Sequence, residues 1–493
     1  MKILFVYPKF KETFWSLKYA LRFLSKKAAQ PPLGLLTVAA LLPSAWKKKL
    51  IDMNVERLKD KDLKQADYVF ISAISLQRDS VLDIVRRCRE LGVKTVAGGP
   101  LFTTAYRDFK GIDHFILNEA EITLPPFLKD LKEGQAKQVY TSSQRADIRG
   151  APVPLWELIN MKKYAIMNIQ YSRGCPFDCE FCDITRLYGQ RPRVKEPGQI
   201  LNELQKIYDQ GWRDGVFFVD DNFIGNKKKL KDTILPGISG WMREKKYPFI
   251  FNTQASLDIS DDEELMRMMA ETGFNAVFVG IETTSQESLT ECSKLQNKNR
   301  DMVECVKKIH SAGLQVQGGF IVGFDHDTPA VFQQQISFIQ KSGIVTAMVG
   351  LLNAPQGTKL YRRLKKENRL LNFGSGDNTD SSMNFVPKMN SLTLISGYKN
   401  IVTTIYSPSS YYSRIKTFLR EYRPLKNQKK YKPRPVYLAA FLKSVLILGV
   451  IGRERVQYWK LLLWCLFKQP GNFPLAITLA IKGFHFRKIF QQV

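Results

Sequence analysis

Short apolar runs alternate with amphipathic helical patterns over the first third of the chain. Runs at residues 3–7, 50–53, 68–72, 95–97 and 115–117 read as strands, and the patterns at 33–42, 80–91 and 122–132 as helices. Strands and helices taking turns predict a parallel sheet covered on both faces. The expected fold class is α/β, beginning with a doubly wound, Rossmann-like domain over residues 1–145. Glycines stand where such a domain needs close backbone approach: Gly34 opens a helix, and Gly98 and Gly99 precede Pro100 after a strand.

A polar stretch at 141–154 reads as a linker, and a longer, more regular alternation follows. Strands are expected at 165–171, 216–220, 250–255, 276–282, 317–322 and 347–352. Six β/α units over residues 160–365 predict a partial (β/α)6 barrel, with its site at the carboxyl ends of the strands. Ser260, Asp261, Asp262 and Glu263 read as a capping box ahead of a helix that Gly273 closes. From residue 366 the strand pattern stops. A polar stretch at 372–384 leads into basic, aromatic-rich, mostly helical sequence that runs to residue 493.

Hydrophobic residues make up 44% of the 493 and charged residues 24%, which excludes a disordered or collagen-like chain. No apolar run reaches the ~18–20 residues of a spanning helix. The opening MKILFVYPKF has too short an apolar part for a signal peptide, so a cytoplasmic protein is expected. Lys and Arg outnumber Asp and Glu by 74 to 46, and residues 401–493 carry 17 basic against 2 acidic side chains. Such a tail calls for a polyanionic surface, either nucleic acid or the anionic inner face of a membrane. Trp459, Trp464 and Phe467 among Leu and Ile runs favour a lipid or small-molecule substrate met peripherally at the membrane. The plainer reading is a helical lid with a solvated face. Nucleic acid ranks lower, because no aromatic RNA-binding signature stands out.

Three of the seven cysteines, Cys175, Cys179 and Cys182, share the segment YSRGCPFDCEFCD directly after the first barrel strand. Three thiolates spaced CxxxCxxC suit three irons of a 4Fe–4S cube and leave the fourth iron open to a small molecule. Cys88, Cys292, Cys305 and Cys465 are scattered, and the nearest histidine, His114, is in another domain. A zinc knuckle would therefore lack a ligand; three buried thiols are the other reading.

This motif, with Phe181 ahead of the third cysteine, resembles that of the radical S-adenosylmethionine enzymes. The resemblance implies a 4Fe–4S cluster that binds the amino and carboxylate groups of S-adenosylmethionine. An electron from an external flavodoxin- or ferredoxin-type donor then releases a 5′-deoxyadenosyl radical. It also implies cofactor contacts at the strand ends: Asp220, Asp221 and Asn222, then Gln254 and Ser256, then Glu282. Gly319 and Gly323 would lie beside adenine, with Asp327 where the family carries Glu. His326 in that loop is a candidate for substrate contact, although a lone loop histidine is more often merely solvated. No catalytic residue is assigned beyond these ligands, since no triad or carboxylate pair is needed.

An α/β domain directly ahead of a radical barrel resembles the cobalamin-binding architecture, through PPLGLLTVAALLP, LIDMNVERL, VAGGP and NEAEITLPPFLKDL. Gly34, Asp52, Ser72, Gly98, Gly99 and Glu119 are the residues this places near cobalamin. The family's DxHxxG motif is missing, so cobalamin is expected without a histidine ligand on cobalt. From KILFVYP through VDDNFIGNKK and AMVGLLNAPQGTKLYRRL to the basic tail, the chain resembles the hopanoid C-2 methylase-like subgroup. That implies a methyltransferase acting on an unactivated carbon of a hopanoid- or isoprenoid-like substrate. The alternatives are an RNA-modifying radical enzyme, a cobalamin-free radical enzyme and an iron–sulfur redox or sensor protein.

Overall fold

The computed structural model describes residues 1–371, 376–377, 379–425 and 435–491. Parts of the polar stretch at 372–384 and of the basic tail therefore lie outside the described residues. Two six-stranded, all-parallel sheets carry the fold. In the first, β1 (Lys2–Tyr7), β2 (Lys47–Asp52), β3 (Tyr68–Ser72), β4 (Lys94–Gly98), β5 (His114–Ile116) and β6 (Val139–Tyr140) run in the order 2-1-3-4-5-6. Ile3 to Val6 in β1 and Tyr68 to Ile71 in β3 are buried residue after residue, as a sheet covered on both faces requires. The order reverses between β1 and β3, which opens a ligand crevice beyond their carboxyl ends. β6 adds to the five expected strands; two residues are too few to display an alternation. The stretch expected as a linker is packed down: Ile148 is fully buried and Arg145 donates to the Arg186 carbonyl at 2.5 Å.

The second sheet takes β7 (Met167–Ile169), β10 (Gly215–Phe218), β11 (Ile250–Ala255), β12 (Phe274–Glu282), β13 (Gln315–Val322) and β14 (Ala347–Leu351) in sequential order. A hairpin of β8 (Ser172–Arg173) and β9 (Arg193–Val194) follows β7. The barrel is open between β7 and β14, and residues 14–30 bridge that gap. Trp15 Nε1 donates to Met348 Sδ on β14 at 3.0 Å, and Ala28 pairs with Tyr164 just ahead of β7. Along β11, the outward Phe251, Thr253 and Ala255 are buried under helices, whereas the inward Asn252 and Gln254 are not. Barrel interiors of this type are normally filled by layers of branched apolar side chains. Here Asn168, Asn252, Gln254, Gln315 and Gln317 line an interior that is hollow.

Asp262, not Ser260, caps the helix Glu263–Thr272: its carboxylate accepts from Leu265 N at 3.0 Å, and Gly273 ends the helix at φ 113°. The expected capping box does not form because a 3-10 turn, Leu257–Asp261, takes up that stretch and buries Ser260. The carboxyl-terminal helices are Ser391–Ile405, Pro408–Glu421, Pro435–Ser444, Arg455–Lys468 and Phe473–Phe490. The last of these lies against the bridging segment. Phe486 stacks on Phe14 with centroids 4.2 Å apart, and the His485 ring bonds the Phe14 carbonyl at 2.9 Å. No helix among the described residues is long and apolar enough to cross a membrane.

Candidate active site

The three cysteines come off the loop between β8 and the short helix Ile184–Tyr188. Cys179 is buried, Cys175 and Cys182 half-buried, and burial raises all three thiols, Cys182 to about 12. Thiolates are disfavoured there unless a cation shares their charge. No three described His, Cys, Asp or Glu side chains converge on one metal ion. A zinc knuckle needs such convergence. A 4Fe–4S cube takes each thiolate on a different iron and needs no single meeting point.

Two acids past the end of β10 shape the backbone leading to Cys175. Asp220 is fully buried; its carboxylate accepts from Tyr171 N at 3.1 Å, Ser172 Oγ at 2.5 Å and Ser172 N. Asp221 accepts from Gly174 N at 2.9 Å. Burial pushes Asp220 up to about 7 and Asp221 to about 6. Beyond the cysteines, Arg363 clamps Glu180 at 2.7 Å, Asp325 at 2.7 Å and Glu291 at 3.2 Å. Burial alone would raise Asp325, but Arg369 and Arg363 outweigh it and hold its carboxyl at about 2. Phe181 packs 6.2 Å from Phe324, so the cysteine loop leans on the loop after β13.

Glu282 ends β12 at a register irregularity, with a left-handed φ of 65°. Such a conformation costs about 1–3 kcal/mol in a residue other than glycine and clusters at functional sites. Its carboxylate meets the half-buried Lys294 at 2.9 Å. Burial alone would lower Lys294, but Glu282 and the nearby Cys179 and Cys182 outweigh it and raise it. Gly280 makes the space: a Cβ there would fall 2.2 Å from Glu282 Oε1 and 2.8 Å from Lys294 Nζ. A carboxylate and an ammonium side by side near the cysteines match the zwitterionic end of an amino acid. Neither Gly280 nor Lys294 was singled out from the sequence; the available signal was a glycine inside a strand, which marks close approach. Gly280→Ala is expected to split the pair and weaken S-adenosylmethionine binding roughly 10- to 100-fold, the worth of a hydrogen bond to a charged group. Equilibrium dialysis with labelled ligand checks this; unchanged affinity with intact cluster colour would refute it.

The other strand-end candidates have protein partners. Asn222 and Ser256 are buried and bond each other at 3.1 and 3.2 Å, joining the ends of β10 and β11. Gly319 makes room for Phe278, whose ring would lie 2.9 Å from a Cβ, and Gly323, at φ 108°, packs near Leu394. Both glycines, expected beside adenine, thus accommodate side chains of the protein itself. Asp327 closes that turn by accepting from Gly323 N at 2.8 Å and Phe324 N at 3.1 Å. His326, a candidate for substrate contact, bonds Glu291 at 2.8 Å.

A cavity of about 2540 Å³ begins at the carboxyl ends of β1 to β3, with Tyr7, Met53, Asn54 and Ser72 on its wall. It passes Gln254, Phe278 and Met348 inside the barrel and reaches Gln315 and Thr346 at the strand starts. Pockets for drug-sized ligands occupy roughly 300–1,000 Å³, so this space suits a macrocycle together with a second ligand. Of the six cobalamin candidates, Gly34 and Ser72 line it. Gly98 and Gly99 serve packing, since a Cβ would meet the Ile116 carbonyl at 2.8 Å or Ser72 Oγ at 2.6 Å. Asp52 is buried and accepts from the Tyr164 hydroxyl at 2.9 Å; Glu119 is buried and pairs with Arg173 at 2.9 Å and Arg193 at 2.8 Å. Both acids tie the first sheet to the barrel. No histidine is among the described lining residues: His114 packs on Phe127 and His310 on Phe418.

Residues 24–128 match the B12 binding domain, 169–339 the Radical SAM superfamily, and 358–493 a domain of unknown function, DUF4070. The hopanoid C-2 methylase of Rhodopseudomonas palustris (strain TIE-1) is 31% identical, across 93% of this chain and 88% of that protein. An uncharacterized methyltransferase of Synechocystis sp. is 38% identical, across 100% of this chain and 93% of that protein. The chain belongs to the cobalamin-binding radical S-adenosylmethionine methyltransferases. Among solved structures, the cobalamin-dependent S-adenosylmethionine radical enzyme OxsB, with aqua-cobalamin and S-adenosylmethionine bound, shares the fold. Its TM-score is 0.63 at 15% identity, over 100% of this chain and 80% of that one. This radical methyltransferase therefore uses a 4Fe–4S cluster, S-adenosylmethionine and cobalamin, as the sequence resemblance implies.

Proposed function

We propose that this radical methyltransferase adds a methyl group to an unactivated carbon of a lipophilic, isoprenoid-like substrate met at a membrane surface. The hollow barrel carries the reading: its cavity is walled by Trp15, Leu17, Leu21, Phe278 and Met348, with carboxamides between them. One full-length relative is named a hopanoid C-2 methylase, which agrees with an apolar substrate. Bound in the protein, the three cofactors supply a radical that removes a substrate hydrogen and a methyl group that replaces it.

Cys175, Cys179 and Cys182 would hold the cluster, on a loop that Asp220 and Asp221 fix in shape. Lys294 and Glu282 would take the carboxylate and ammonium of S-adenosylmethionine, with Gln254 and Phe181 as further contacts. Tyr7, Met53, Asn54 and Ser72 would face cobalamin. The segments would divide the work: residues 1–145 for cobalamin, 160–365 for the radical, 366–493 for docking and for closing the cavity against water.

Two helices support docking. Leu438, Leu442, Leu446 and Val450 form one exposed stripe; Val456, Trp459, Leu463, Leu466 and Phe467, 78% exposed, form another. Exposed Arg453, Arg455, Lys460 and Lys468 stand beside them, each worth roughly 1 kcal/mol at an anionic bilayer. Removing residues 431–493 would strip Phe486 from Phe14, so surface substitutions make the better test. The protein is expected to co-sediment with anionic liposomes, and Leu442→Ser with Phe467→Ser to reduce this at least tenfold. Equal sedimentation of the variant would refute the docking face.

The function is tested by anaerobic incubation of the reconstituted enzyme with reductant, methyl-labelled S-adenosylmethionine and either lipid extract or tRNA. Mass spectrometry should find 5′-deoxyadenosine and label in an organic-soluble product. Label carried into tRNA and not into lipid would overturn the reading in favour of RNA modification.

A further inference from the structure

One basic side chain inside the cavity is unexplained by anything above. The helix Phe473–Phe490 turns Leu475, Thr478, Ile481, Lys482 and Phe486 toward the cavity. Lys482 is the only charged residue that this helix contributes to the lining; Arg487 and Lys488 lie elsewhere. Arg487 pairs with Glu454. Lys482 has no hydrogen-bond or ion-pair partner among the described residues, and burial lowers its affinity for a proton with nothing to offset it. The other residues that this helix gives to the wall, among them Leu475, Ile481 and Phe486, carry no acidic side chain.

An ammonium in such surroundings is costly unless an anion joins it. The described lining of the cavity does not supply that anion. Among the described residues, eleven basic but only three acidic ones line it, Glu12, Asp214 and Asp377. All three acids are engaged: Glu12 by Lys18 and Tyr19, Asp214 by the Tyr437 hydroxyl at 2.6 Å, and Asp377 by Thr379 N at 2.9 Å and Thr379 Oγ1 at 2.7 Å. The apolar wall and the unpartnered Lys482 upon it together describe a site for an acidic amphiphile.

We infer that Lys482 binds an anionic head group, carboxylate or phosphate, of the substrate, and that the substrate is an acidic rather than a neutral lipid. The inference rests on the lipophilic-substrate reading and narrows it. An acidic group set against Lys482 fixes which carbon of the chain stands near the radical, so the lysine acts as a ruler for the site of methylation.

The test uses the full-length protein loaded with its cofactors, and the fluorescent lipid cis-parinaric acid against its methyl ester. Geranylgeranyl phosphate against geranylgeraniol, read by displacement of the bound fluorophore, separates phosphate from carboxylate. The acidic member of a pair should bind at least tenfold tighter. Lys482→Met should weaken the acid to the level of the ester while leaving the ester's affinity unchanged, and Lys482→Arg should keep most of the preference. Unchanged ester binding also reports an intact cavity in the Met variant. Equal binding of acid and ester by the wild type would overturn the inference alone. Failure of every probe to bind would overturn it together with the lipophilic reading. Loss of cobalamin from Lys482→Met would overturn it by assigning the lysine to the cofactor instead.

Discussion

Cys175→Ala, Cys179→Ala and Cys182→Ala are each expected to abolish the brown colour of the cluster and reductive cleavage of S-adenosylmethionine. Three thiolates are the fewest that leave one iron open while holding the other three. With one removed, a second iron is free, and the cluster is lost to solvent through a half-exposed loop. Cys292→Ala and Cys465→Ala should keep both properties. Cys292 is buried at the end of the helix Gln286–Glu291, and it is its carbonyl, not its thiol, that meets Glu180 N at 2.9 Å. Cys465 is turned to the Gln469 carbonyl. Visible absorbance, iron content and 5′-deoxyadenosine formation decide the matter. Full cleavage by any one of the three loop variants would show the ligand assignment to be wrong.

Asp220→Asn is expected to be nearly as damaging, although the residue touches neither cysteine nor cavity. Both carboxylate oxygens accept from donors, Tyr171 N on one side and Ser172 N and Oγ on the other. An amide would turn its NH2 toward one of these donors, and a buried donor left unpaired costs about 1–3 kcal/mol. The backbone from Tyr171 to Gly174 must then shift, and Cys175 with it. Cluster occupancy should fall at least tenfold while the far-ultraviolet circular dichroism stays unchanged. The pH dependence has a definite sign. Burial raises Asp220 from its ordinary value to about 7, so the folded state holds this proton more tightly than the unfolded chain. Wild-type stability should fall as pH rises from about 4 to about 7, and the Asn variant should lack that slope. Chemical denaturation across that range measures both slopes, and parallel slopes would count against the assignment.

Much of the architecture is legible because its strands are buried on both sides and read as unbroken apolar runs. β1 and β3 stand within two residues of expectation for that reason, and β11 and β13 do so although their inward faces carry carboxamides. The cysteine motif is local, and so is the pair of acids after β10. What sequence cannot display is a partner far along the chain. Asp52 and Glu119 look like ligands at strand ends, but Tyr164 is 112 residues from the first, and Arg173 and Arg193 are 54 and 74 from the second. Lys294 is hidden in the same way, in a polar segment that resembles surface. The hollow interior did leave a trace. Carboxamides at alternate positions, Asn252 with Gln254 and Gln315 with Gln317, mark strand faces that are not packed.

The bond between His485 and the Phe14 carbonyl spans 471 residues. At the 5–20 residues per second of protein synthesis, the ribosome needs roughly 20–90 s to make the helix that completes the cavity wall after it has made the strand–helix segment that helix rests on. The barrel strands are complete only at Leu351, and until the helix that begins at Phe473 follows, the barrel lacks that part of its wall. A bulky cofactor that arrived before this helix docked would enter through the open side. Holoenzyme yield would on this account depend on cofactor supply during translation more than on supply afterwards.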